Sequence, residues 1–118
     1  MQTQVFVLSL LLLGLGGAGA HAHAMLSNSS PPVGGSVGSA PRQVSLSFTQ
    51  SLEPSFSSVQ VTDSKGARVD VGKAQVSGST MTIGLKALSP GTYRVNWHVL
   101  SVDTHKTQGS FTFHVGGQ

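Results

Sequence analysis

The chain has 118 residues, 38% of them hydrophobic and 9% charged, with no cysteine and a formal net charge of +3. That length allows one small domain of about 100 residues, and its bases (Arg42, Lys65, Arg68, Lys73, Lys86, Arg94, Lys106) are too scattered for the clustered stripe that nucleic acid requires. Without cysteine there is no disulfide scaffold, zinc finger, thiolate copper site or cysteine nucleophile.

The N-terminal stretch reads as a targeting segment. Val5 to Leu15 is apolar apart from Ser9 and Gly14, and small residues follow it from Gly16 to Ala20. This is the pattern of a cleaved secretory signal, and the run is about half the roughly 20 residues that a membrane span needs. The spacing Ala20-His21-Ala22 predicts a signal peptide over 1–22 and a mature domain over 23–118 that begins at His23. A cut after Ala20 would start the chain at His21 instead, and either product opens on a histidine.

Beyond Leu26, short stretches alternate at period two: Val44-Leu46-Phe48, Val59-Val61, Met81-Ile83-Leu85, Tyr93-Val95-Trp97-Val99 and Phe111-Phe113-Val115. Alternation of this kind marks strands with one face in a core and one in water. Turn residues punctuate them at Pro31-Pro32, Gly34-Gly35, Ser64-Lys65-Gly66, Gly78 and Pro90-Gly91. No stretch shows the spacing of a long amphipathic helix. The pattern predicts an all-β, antiparallel Greek-key sandwich of immunoglobulin-like type with about seven strands. Trp97, Tyr93, Phe48, Phe111 and Phe113 are its expected aromatic core.

Few residues could do chemistry. No serine sits in a nucleophile elbow, and there is neither an H-E-x-x-H helix motif nor a phosphate-cradling loop. The feature that stands out is Ser101-Val102-Asp103-Thr104-His105, in which an extended backbone would turn Asp103 and His105 to one side. A mature His23 adds an α-amine and a ring nitrogen from one residue. Together these make a nitrogen and oxygen donor set without sulfur, which suits copper(II). The same D-x-H stretch reads equally as a hydrogen-bonded pair. His98 and His114 alternate with core residues and are expected at the surface, and the mature methionines Met25 and Met81 stand apart from one another. If the chain began at His21, its amine, backbone amides and His23 would form a separate copper chelate.

His23-Ala24-Met25-Leu26, the Pro31 turn, Val44-x-Leu46-x-Phe48, Gly91-Thr92-Tyr93-x-Val95-x-Trp97, Ser101-x-Asp103-x-His105 and Gly109-x-Phe111-x-Phe113-x-Val115 resemble the CopC family of periplasmic copper-binding proteins. The resemblance covers the mature chain and implies a Greek-key sandwich holding one copper(II) ion on His23, Asp103 and His105. It implies a carrier rather than an enzyme, periplasmic, monomeric, unanchored once processed, with a CopD-type membrane copper importer as partner. Two departures accompany it. The stretch from Val61 to Val76 has no methionine or histidine, so the family's copper(I) loop is not expected here. Gln50 stands where relatives often have a glutamate that supports the copper ligands. Two other functional classes fit the same residues less well: a copper-brace monooxygenase, and a metal-free interaction module.

Overall fold

The computed structural model describes residues 24–116. The expected signal segment, its expected cut site and His23 therefore lie outside the described residues. The strands are β1 (Leu26–Ser30), β2 (Ser36–Val37), β3 (Gln43–Phe48), β4 (Ser58–Thr62), β5 (Asp70–Ser77), β6 (Thr80–Leu85), β7 (Gly91–Leu100) and β8 (Lys106–Val115). The helical element among the described residues is a 3-10 turn at Pro54–Phe56. No helix there is long and apolar enough to cross a membrane.

The strands form two four-stranded sheets, in the orders β1-β3-β6-β5 and β2-β8-β7-β4. This is the expected sandwich. The alternating residues of β3, β4, β6, β7 and β8 all face inward, including Val44, Leu46 and Phe48 from one sheet and Val95, Trp97 and Phe113 from the other. Phe48 meets Trp97 edge-on across the interior, with ring centroids 5.1 Å apart, and Tyr93 stacks on Phe113 at 5.5 Å. Such pairs add about 0.5–1.5 kcal/mol to the area they bury. The Tyr93 hydroxyl donates to the Ser89 carbonyl, so its polar end is satisfied at the rim.

β7 and β8 form the longest pairing, running in register from Gly91↔Val115 to Leu100↔Lys106. Gly109 allows this hairpin to close over the core. A Cβ there would stand 2.5 Å from the Trp97 ring, so the indole fills the space that a side chain would need. His98 and His114 are exposed on the outer face, as the alternation predicts.

Three strands depart from the sequence reading. β1 (Leu-Ser-Asn-Ser-Ser) is almost entirely polar and is held by its pairing with β3, which periodicity does not report. β2 pairs parallel to β8, so the sandwich is not wholly antiparallel; the chain makes only a two-residue approach to the edge after the glycine turn. β5 breaks register between Val71 and Gln75, and the irregularity hides its alternation.

The flank formed by β4 and β5 is stitched between sheets. The Val69 N–H donates to the Val61 carbonyl at 2.8 Å, and the Val61 N–H donates to Asp70 Oδ1 at 2.8 Å. Arg68 donates twice to the same carboxylate, at 2.9 and 2.7 Å. A buried Asp70 thus closes two edge strands that would otherwise offer bare backbone.

Candidate metal centre

At one end of the sandwich, the chain leaves β7 at Ser101 and re-enters β8 at Lys106. The intervening residues form a turn and not the extended stretch expected. Ser101 N–H donates to the His105 carbonyl at 3.0 Å, and Thr104 N–H donates to the Ser101 carbonyl at 2.8 Å. Thr104 takes a left-handed backbone, φ 72°, which is costly for a β-branched residue. That twist keeps Asp103 and His105 adjacent even though they do not sit on a strand: His105 Nδ1 lies 3.4 Å from Asp103 Oδ1. Both side chains remain half-exposed.

Ser101 organises the turn. Its side chain is fully buried. The hydroxyl donates its one proton to Asp103 Oδ1 and accepts the His105 N–H at 3.3 Å. Chiefly because of that donation, with His105 adding a smaller effect, the Asp103 carboxyl is held below its ordinary range. A carboxylate that stays ionised beside an imidazole is a pair of donors for a cation. Sequence reasoning quoted Ser101 in the motif but gave it no role; its signal is a small hydroxyl residue at the close of an otherwise apolar strand face.

Two neighbouring segments pack around the turn. Ser51 accepts the Val102 N–H at 3.0 Å, and Glu53 N–H donates to the Leu100 carbonyl at 2.8 Å. Gln50 lies between Ser51 and Thr49, whose N–H donates to the Met25 carbonyl at 2.9 Å. The Met25 N–H in turn donates to Thr49 Oγ1 at 2.9 Å. Ala24 is completely buried, and its carbonyl accepts the Thr107 hydroxyl at 2.8 Å. The first described residue is thus tied to β8 two positions beyond His105. Sequence reasoning missed Thr107, because nothing local links positions 83 residues apart.

Among the described residues there is no group of three or more His, Asp or Glu that could hold a metal. The structure brings Asp103 and His105 together; His23, the third residue expected, is outside its bounds. The methionines are separated as the sequence suggested, with Met81 inside the core and Met25 exposed.

Fold and turn define a class: a small β-sandwich that offers a carboxylate and an imidazole at one end. Residues 26–116 match the CopC domain. The chain is 35% identical to Protein YobA of Escherichia coli (strain K12) over 96 residues, covering 78% of this chain and 77% of that one. It is 38% identical over 96 residues to the copper resistance protein C of Pseudomonas syringae pv. tomato, covering 74% and 76%. The crystal structure of CopC from Methylosinus trichosporium OB3b superposes with a TM-score of 0.75 at 33% identity, covering 80% of this chain and 94% of that one. The chain belongs to the CopC family, and with it to a group that includes copper resistance proteins.

Proposed function

We propose that the processed protein is a copper(II) carrier of the exported compartment, binding one ion through His23, Asp103 and His105. Removal of residues 1–22 would make His23 the first residue, giving an amine and an imidazole to join the pair at the turn. The observation that carries this reading is the pairing of Asp103 and His105 at 3.4 Å in a half-exposed turn, with a buried Ala24 bonded to Thr107 two positions beyond His105. Ala24 is the chain neighbour of position 23, and neighbouring Cα atoms are about 3.8 Å apart.

The chemistry of the donor set agrees. Imidazole, amine and carboxylate without sulfur suit copper(II) in a tetragonal arrangement. The chain's own residues hold the carboxylate ionised through Ser101 and keep it against the imidazole. Because the amine and imidazoles must give up protons to bind, affinity falls as pH falls. The role is storage or handover, with a CopD-type membrane importer as recipient. The half-exposed turn leaves the ion accessible to such a partner.

Titration of copper(II) into protein beginning at His23 tests the reading, with electron paramagnetic resonance to report nitrogen ligation. His105→Ala should weaken binding by about 100-fold, the upper range for altering a metal site's environment. Equal affinity of wild type and variant would remove the site. One extra residue ahead of His23 should also weaken binding, because amine and ring would then belong to different residues.

A further inference from the structure

We infer that Thr107 is a positioning residue that latches the mature N-terminus against the metal-binding turn. This deepens the copper reading and rests on it. The residues between a signal cut and the first strand of a domain are ordinarily loose. Here they are not. Ala24, the first described residue, is fully buried. Its carbonyl accepts the Thr107 hydroxyl at 2.8 Å, a bond that joins the start of the described chain to β8.

The neighbouring contacts explain why this one bond matters. Met25 is held on the opposite side by Thr49, through its N–H at 2.9 Å and its carbonyl at 2.9 Å. β1 then begins at once with Leu26 opposite Phe48. All of those bonds tie the segment to the β3 side of the sandwich. Thr107 ties it instead to β8, the strand that follows His105. Ala24 leads into β1 of one sheet and His105 leads into β8 of the other, so some group must fix their separation. The Thr107 hydroxyl does so from two positions beyond His105.

The test uses protein beginning at His23, with Thr107→Val, which keeps the shape but loses the donor, and Thr107→Ser, which keeps the donor. Two quantities are read: copper(II) affinity by competition titration, and amide hydrogen exchange at Met25 and Leu26 in metal-free protein. Thr107→Val should bind about 5-fold more weakly, the scale of one net hydrogen bond. It should also exchange faster at Met25, while Thr107→Ser stays near wild type in both. Unchanged affinity in Thr107→Val, or equal weakening in both variants, overturns the latch. So does a wild-type Met25 amide that exchanges like a free terminus, a result that needs no variant to fold. His105→Ala separates the two ideas. If it binds copper as the wild type does, the copper reading fails, and the latch is then decided by the exchange rates alone.

Discussion

Asp70 opens β5 and Asp103 lies in the turn between β7 and β8, and both carboxylates are held below their ordinary ionisation range. The causes are different. Asp70 is lowered mainly by the Arg68 guanidinium, against the opposing effect of burial, and the Val61 N–H helps to hold it. Its side chain is 2% exposed, and both oxygens are engaged by protein donors. Asp103 is lowered mainly by the Ser101 hydroxyl, and its side chain is 41% exposed beside an imidazole. An acid saturated by a guanidinium and a backbone N–H closes a fold. One supported by a single hydroxyl keeps its capacity for a cation. Charge alone does not separate the two roles; the donors around each carboxylate do.

The comparison can be broken most severely at the buried carboxylate. Asp70→Ala should cost about 2 kcal/mol, because it leaves the buried Val61 N–H without its acceptor. Urea unfolding would measure this, with copper binding unchanged. A loss of copper affinity without a loss of stability would reverse the assignment of roles.

Acid should act on the same group. Since the folded value of Asp70 is depressed, its stabilising contribution is complete above the unfolded value of about 3.9 and is lost as pH falls through the folded one. Asp70→Asn should flatten the decline of stability below pH ~4 that the wild type shows. Melting midpoints across that range would check it.

At the exposed carboxylate the effects should fall on binding. Ser101→Ala removes the donor that favours the ionised form, so the Asp103 pKa should rise toward its ordinary value, as carboxyl NMR titration can follow. Copper affinity should drop by about 10-fold. The smallest expected effect is at Thr104. Thr104→Asn relieves a left-handed backbone that asparagine tolerates better, and should raise stability by about 0.5–1 kcal/mol in urea unfolding.

The sandwich was legible in the sequence wherever a strand buries one face. Val44-Leu46-Phe48 and Tyr93-Val95-Trp97-Val99 announced both sheets by alternation alone, and each of these residues is buried. The strands held by backbone pairing were not legible, since Leu26–Ser30 has scarcely an apolar residue and Asp70–Ser77 is interrupted by a bulge. The pair Asp103 and His105 was legible from spacing, though for an imperfect reason: the residues meet through a turn at a strained Thr104 and not along a strand. Ser101 and Thr107 escaped because their importance lies in partners that only the closed fold supplies.

The packing of Gly109 against Trp97 has a spectroscopic consequence. The chain has one tryptophan, and its indole lies under the strand that begins beside His105. Its emission is therefore a built-in optical reporter on that end of the molecule. A paramagnetic copper(II) ion arriving at the turn should quench the emission, and zinc(II), equal in charge but with a filled d shell, should leave most of it intact.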